Sequence, residues 1–126
     1  MVYAYDASDP AKQARAREVI SGGDWVISTQ VMQEFFVVVT RRIEEPLDPH
    51  DALGALDDLA LAPVVAIDAE LVSAAAGCSI RNRISLWDAL IVHAARRAGC
   101  AQVLTEDLNQ GQVIDDVTVA NPFLTP

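Results

Sequence analysis

The stretch SLWDALIVHAARRAGCAQVLT, residues 85–105, decides the fold. Ser85 is a residue type that caps helices, and the predicted helix runs from it to Ala98. Two arginines fill the last turn, and Gly99 stands just past the end. The apolar run Ala101–Thr105 then has the character of a strand. This stretch therefore predicts a helix that leads directly into a strand.

Helix starts of the same kind recur along the chain. Asp9-Pro10 and Asp48-Pro49 each place a capping residue before a proline at the first helical position, and Asp68 is a third cap. Gly22-Gly23 ends the first of these helices. From Thr29 to Ile43 the apolar residues cover one broad arc, which favours a long helix over a strand.

Short apolar runs predict the remaining strands, at Trp25–Ser28, Val64–Ile67 and Val113–Ala120. Because helices separate these runs, we expect parallel βαβ units. The predicted fold class is α/β, a three-layer α/β/α sandwich around a parallel central sheet. In such sheets a functional site usually lies at the carboxyl ends of the strands.

Length and charge limit the class of protein. At 126 residues and 13.6 kDa the chain is the size of one domain, so we expect residues 1–126 to form a single domain. With 52% hydrophobic residues it has material for a core. A formal charge of −9 excludes nucleic-acid binding through an overall positive charge, so such binding would need a local basic patch or metal ions.

Cysteine usage and hydropathy indicate a cellular location. Cys78 and Cys100 stand far apart and form no CxxC pair, so neither a disulfide framework nor a zinc site follows from their spacing. No apolar run approaches the roughly 18 residues of a membrane helix. The first residues also lack the pattern of a signal peptide. We expect a cytoplasmic protein with no membrane partner.

Two acidic residues stand beside apolar helix faces. Glu34 lies at the edge of the apolar arc of its predicted helix, where it is either a boundary residue paired with Arg41 or a ligand. Asp88 lies three residues after Ser85, as in a capping box, yet the apolar residues one turn on draw it toward the interior. A cap and a ligand are equally compatible with its position.

A third acidic residue follows a predicted strand. Asp107 comes directly after the run that ends at Thr105, where an aspartate either forms a turn or binds a ligand, and Glu106 competes for the second role. Carboxylates gathered in one cleft repel one another unless a cation neutralises them. Oxygen donors select hard cations such as Mg²⁺ or Mn²⁺, which can activate water against a phosphodiester. A metal-dependent nuclease is consistent with this pattern.

The chain resembles the PIN-domain family, and within it the VapC-like toxins of bacterial toxin–antitoxin pairs. The likeness covers nearly the whole chain in family order. It is carried jointly by the segments Val2–Asp6, Ser28–Phe35, Ser85–Ile91, Leu104–Gly111 and Asn121–Phe123.

The resemblance implies an endoribonuclease that uses Mg²⁺ or Mn²⁺, held by an acidic quartet, to hydrolyse RNA with metal-activated water. Glu34, Asp88 and Asp107 match three members of the quartet, as catalytic and metal-binding residues. Thr105 matches a position whose hydroxyl supports the site. The resemblance also implies a cognate antitoxin as a partner and a homodimer.

The family's first strand and first catalytic aspartate have no counterpart here. The segment Val2–Asp6 resembles one that follows that strand in the family, so we expect a domain shortened at its N-terminus, through a start codon assigned too far downstream. Asp6 is the nearest acid that could substitute for the missing one. The alternative function is a catalytically impaired PIN-like module that binds RNA or an antitoxin without cleavage.

The remaining polar and aromatic residues have plainer interpretations. Arg41, Arg81 and Arg83 are candidates for contact with RNA phosphates. His50 and His93 lack metal-ligand spacing and are interpreted as surface or boundary residues. The pair Asp115-Asp116 is expected on the solvated surface, and Trp25 and Trp87 are expected in the core. These expectations for the two aspartates and the two tryptophans concern their burial.

Overall fold

The computed structural model describes residues 11, 14–15, 18, 21, 25–43, 45–105 and 107–123. The chain divides into two compact units, Met1–Val64 and Val65–Pro126, and each is described by itself. The described residues between 11 and 21 are helical, while the predicted cap at Asp9-Pro10 and the stop at Gly22-Gly23 lie outside the described residues. The single domain expected from length stays a prediction.

The first unit consists of helices and a short strand with capped helix starts. Strand β1 (Ile27–Ser28) leads into helix α1 (Thr29–Arg41), and helix α2 (Pro49–Leu59) follows. The Ser28 hydroxyl accepts a hydrogen bond from the Val31 N–H at 3.3 Å, which caps α1. The Asp48 carboxylate caps α2 by accepting from the His50 N–H at 2.9 Å. Both predicted helices are confirmed, and α1 ends at Arg41 rather than at the predicted Ile43.

The core of the first unit lies between α1 and α2. Phe35 and Val39 of α1 are 1% and 0% exposed, and they lie in one cluster with Ala52 and Leu59 of α2. Strand β2 (Val64–Val65) pairs with β1, and the Ile27 N–H donates to the Pro63 carbonyl at 3.1 Å. The Phe35–Val39 run is helical, as the apolar arc predicts, with Phe35 and Val39 in the core and Val37 exposed.

The second unit has two helices followed by three strands. Helix α3 (Ala69–Asn82) and helix α4 (Leu86–Arg97) precede strands β3 (Gln102–Leu104), β4 (Val113–Ile114) and β5 (Val117–Ala120). The Asp68 carboxylate caps α3 by accepting from the Leu71 N–H at 2.9 Å. The Ser85 hydroxyl caps α4 by accepting from the Asp88 N–H at 3.1 Å. The helix and strand predicted from residues 85–105 are confirmed.

The sheet of the second unit has the strand order β3-β5-β4. Strands β3 and β5 are parallel, with Gln102 opposite Thr118 and Leu104 opposite Ala120. Strands β4 and β5 are antiparallel. The single strand predicted over Val113–Ala120 is wrong, because the chain reverses at Asp115-Asp116, where both residues adopt positive φ angles of 46° and 69°.

The core of the second unit is built from both helices and all three strands. Its fully buried members include Leu71 and Cys78 of α3, Val92 of α4, and Ile114 and Val119 of the hairpin. The parallel pairing of β3 with β5, together with the helices packed on the sheet, confirms the predicted α/β fold class. No helix within the described ranges combines the length and apolar character that crossing a membrane requires.

Candidate functional site

Glu34 lies on α1 in the first unit with its side chain exposed. Its carboxylate accepts a hydrogen bond at 3.3 Å from the Nε2 of Gln30, one helical turn earlier. Among the described residues Gln30, rather than Arg41, is the hydrogen-bond partner of Glu34. The carboxylate therefore retains acceptor capacity for a ligand.

Asp88 occupies the first turn of α4, where it is half-buried. Its backbone N–H donates to Ser85, so the main chain of Asp88 performs the capping. A capping box would also need the Asp88 carboxylate to accept a hydrogen bond. That carboxylate receives no hydrogen bond from the part of the chain that the structure describes. Ser85 is thus a one-sided cap, and the side chain of Asp88 is available for another role.

Asp107 follows the carboxyl end of β3 and is exposed. The Thr105 N–H donates to the Ala120 carbonyl at 3.0 Å, which continues the parallel pairing past the end of β3. The Thr105 hydroxyl in turn accepts from the Asp107 N–H at 3.1 Å. Thr105 therefore orients the backbone of Asp107, while Glu106, the competing acid, lies outside the described residues.

The predicted acids are divided between the two units. Asp88 and Asp107 belong to the second unit and Glu34 to the first. Asp6, the proposed substitute for the family's first acid, lies outside the described residues. The assignment of Glu34, Asp88 and Asp107 to one metal site stays a prediction.

The candidate RNA-contacting arginines have different surroundings. Arg41 is exposed in the last turn of α1. Arg83 is exposed and ends α3 in the left-handed conformation, at φ 54°. Arg81 is paired with Asp115, at 2.7 Å between Nη2 and Oδ2. Contact between Arg81 and an RNA phosphate would compete with that pair.

A polar cluster that sequence analysis missed lies in the second unit. It joins Cys78 of α3, His93 of α4 and Asp115 of the β4–β5 turn, with one potential ligand atom from each within 4.8 Å of the others. Cys78 is 0% exposed and His93 is 8% exposed. The predictions of a surface or boundary His93 and a solvated Asp115 are wrong, because their side chains are 9% and 14% exposed and lie within hydrogen-bond distance of each other. Asp116, with its side chain 93% exposed, is solvated as expected.

Hydrogen bonds and burial set the ionisation of this cluster. The hydrogen bond with His93, followed by those with Arg81, Cys78 and Asn82, holds the pKa of Asp115 well below its usual range. Burial, and then the neighbouring Asp115 carboxylate, raises the pKa of the Cys78 thiol to about 11. Near neutral pH the carboxylate is therefore ionised and the thiol is protonated.

The two tryptophans differ in burial. Trp25 is half-buried and packs against the core of the first unit. Trp87, in the first turn of α4, is 63% exposed, so its predicted place in the core is wrong. On α4 the buried face instead carries Ala89, Leu90, Val92 and His93.

Comparison with known families identifies the chain. The sequence model of the PIN domain matches residues 1–115, which include Glu34, Asp88 and Asp107. The chain belongs to the PIN domain family. This confirms the family resemblance predicted from the sequence.

Structural comparison agrees with that assignment. This PIN domain is similar to the crystal structure of VapC20 of Mycobacterium tuberculosis, described as a toxin that cleaves the sarcin–ricin loop. The TM-score is 0.62 at 22% identity, over 80% of this chain and 79% of the other. At that identity the likeness concerns the fold. A comparison with curated protein sequences finds no match.

Proposed function

We propose that this PIN domain is a VapC-like toxin, a metal-dependent endoribonuclease that hydrolyses RNA phosphodiester bonds. The observation that carries the proposal is the family match over residues 1–115, because that range contains all three acids assigned to the site. The likeness in fold to VapC20, a sarcin–ricin loop cleaving toxin, supports an RNA substrate.

Glu34, Asp88 and Asp107 would hold the metal. A set of carboxylate oxygens suits Mg²⁺ or Mn²⁺. The Asp88 carboxylate fits this role because its backbone, and not its side chain, completes the helix cap. Thr105 would support the site by orienting the loop that carries Asp107. When bound, the ion would polarise the phosphodiester and lower the pKa of water for attack.

Binding of RNA by a chain with a formal charge of −9 would depend on local cations. Arg41, Arg81 and Arg83 are the proposed phosphate contacts, supported by the exposure of Arg41 and Arg83. Replacing Arg81 and Arg83 together by alanine should weaken RNA binding and flatten its dependence on salt. Unchanged binding would contradict their role.

The proposal extends to the partners and the location of the protein. As for a VapC-like toxin, we propose a homodimer that is inhibited by a cognate antitoxin in the cytoplasm. The two free cysteines, Cys78 and Cys100, are compatible with a reducing compartment. Co-purification of the full chain with the product of an adjacent antitoxin gene would test the partner.

Cleavage of RNA by the full chain tests the activity itself. We expect cleavage with Mn²⁺ or Mg²⁺ and none after addition of EDTA. Glu34→Gln, Asp88→Asn and Asp107→Asn should each lower the cleavage rate by about 100-fold or more. Matched controls are the exposed acids in Glu45→Gln, Asp51→Asn and Asp116→Asn, which should retain the rate.

Two outcomes would contradict the proposal. Cleavage that survives EDTA would rule out metal dependence. A folded protein that binds RNA or an antitoxin but never cleaves would favour the alternative, a catalytically impaired PIN-like module.

A further inference from the structure

The cluster of Cys78, His93 and Asp115 brings three different metal-binding groups together. The thiol comes from α3, the imidazole from α4 and the carboxylate from the β4–β5 turn, all within the second unit. Their potential ligand atoms lie within 4.8 Å of one another. None of these residues belongs to the acids assigned to RNA cleavage.

The chemistry of the donors selects the ion. Sulfur and imidazole nitrogen favour a borderline-soft ion such as Zn²⁺, whereas Mg²⁺ and Mn²⁺ prefer oxygen donors. We propose that Cys78, His93 and Asp115 form a zinc-binding site that links α3, α4 and the β4–β5 turn. Three protein donors leave the fourth position of a tetrahedral site for a water molecule.

The three ligand atoms, now within 4.8 Å of one another, must adjust their spacing to surround an ion. His93 Nε2 and Asp115 Oδ2 are 2.8 Å apart, joined by a hydrogen bond. Ligand atoms around a tetrahedral Zn²⁺ lie about 3.3 to 3.6 Å apart. The imidazole and the carboxylate must therefore separate by roughly half an ångström, which a side-chain rotation in the turn can supply.

Arg81 competes with the ion for the same carboxylate. Its Nη2 lies 2.7 Å from Asp115 Oδ2, but its side chain is 59% exposed and can swing into solvent. Asn82 contributes weaker contacts, at 3.4 Å to Asp115 Oδ1 and 3.5 Å to Cys78 Sγ. Because the positive charge of the guanidinium repels a cation bound to the same carboxylate, Arg81→Gln should raise the affinity for Zn²⁺ by about tenfold.

Cobalt provides a direct spectroscopic test. The sequence contains two cysteines, so a Cys100→Ser chain carries Cys78 alone. We expect Co²⁺ to give this variant the near-ultraviolet charge-transfer band of a thiolate ligand, and one equivalent of Zn²⁺ to remove it. A folded Cys100→Ser chain without the band would overturn the proposal, and no substitution at the site itself is needed for this result.

Matched pairs of variants then test each donor. Cys78→Ser, His93→Gln and Asp115→Asn should each weaken Zn²⁺ binding by at least about tenfold, measured by competition with a chromophoric chelator. Cys100→Ser, His50→Gln and Asp116→Asn are their controls and should bind as the unmodified chain does. If a site variant and its control, both folded, bind Zn²⁺ with equal affinity, the residue changed in the site variant is not a zinc ligand.

The site is distinguishable from the one proposed for RNA cleavage. Asp88→Asn should leave Zn²⁺ binding to the cluster unchanged, since Asp88 is not among its donors. Loss of the cobalt band in Asp88→Asn would show that the ion binds elsewhere. The outcome does not depend on whether the chain cleaves RNA.

Discussion

His93 Nε2 lies 2.8 Å from Asp115 Oδ2, which joins the buried side of α4 to the turn between β4 and β5. The same Oδ2 accepts from Arg81 in the last turn of α3, at 2.7 Å. One carboxylate therefore connects both helices of the second unit to the hairpin. Asp115 is held in the left-handed region at φ 46°, which Asp and Asn tolerate better than most residues.

Asp115→Asn should destabilise the protein by about 1 to 3 kcal/mol. Asparagine keeps the shape and tolerates the backbone angle, so the change removes the charge from the hydrogen bonds with His93 and Arg81. Urea denaturation in EDTA measures the free energy of unfolding. Asp116→Asn, at a side chain 93% exposed, is the control and should stay within about 0.5 kcal/mol of the unmodified chain. Equal losses in both variants would mean that the Asp115 contacts do not stabilise the fold.

Stability should fall in acid because of Asp115. Its pKa is held below the usual range, first by the hydrogen bond with His93, so its contribution is complete above about pH 4 and decreases as the pH falls further. Unfolding free energies measured from about pH 5 to pH 2 in EDTA should therefore converge for the unmodified chain and Asp115→Asn. A constant difference across this range would contradict the lowered pKa.

Asp116→Gly should stabilise the hairpin by about 0.5 to 1 kcal/mol. Asp116 adopts φ 69°, a conformation that glycine reaches without steric cost. Ser73→Gly, at an exposed position inside α3, is the contrasting control and should destabilise the protein. Thermal unfolding distinguishes the two, and a loss of stability in Asp116→Gly would contradict the left-handed turn.

Cys100 should react with iodoacetamide before Cys78 does. Alkylation requires a thiolate, and burial raises the pKa of the fully buried Cys78 to about 11, whereas Cys100 is partly exposed. Mass spectrometry of peptides from metal-free protein near neutral pH follows the two sites. We expect Cys78 to be modified only when urea unfolds the chain. Equal rates in the folded protein would contradict the burial of Cys78.

Helix starts were predictable because they depend on local chemistry. Ser28, Asp48, Asp68 and Ser85 all cap helices, and each accepts its hydrogen bond from a residue two or three positions later. Because the two residues of each such contact are close together in the sequence, a local sequence pattern predicts it.

The hairpin and its contacts were not predictable in the same way. Asp115-Asp116 interrupts an apolar run without the glycine that most often marks a tight hairpin turn, so the sequence predicts one strand there. His93 and Asp115 are 22 residues apart, and their contact depends on how α4 packs against the sheet. No local pattern encodes such a tertiary contact.

The positions of the candidate acids were predictable from the sequence only in part. The position of Asp107 after β3 followed from the strand pattern, and its link to Thr105 is local. The exposure of Trp87 was missed because helical periodicity places a residue on a face only approximately at a helix end. The convergence of Glu34 with Asp88 and Asp107 came from the family resemblance and remains a prediction.

Titration of the full chain with Mn²⁺, compared with Asp88→Asn, tests the proposed metal site. Asparagine preserves the backbone N–H that caps α4, so circular dichroism should show a folded variant. We expect the unmodified chain to bind Mn²⁺ and Asp88→Asn to lose this binding. Full Mn²⁺ affinity in a folded Asp88→Asn chain would mean that Asp88 serves only the helix start, and would contradict the proposed metal site.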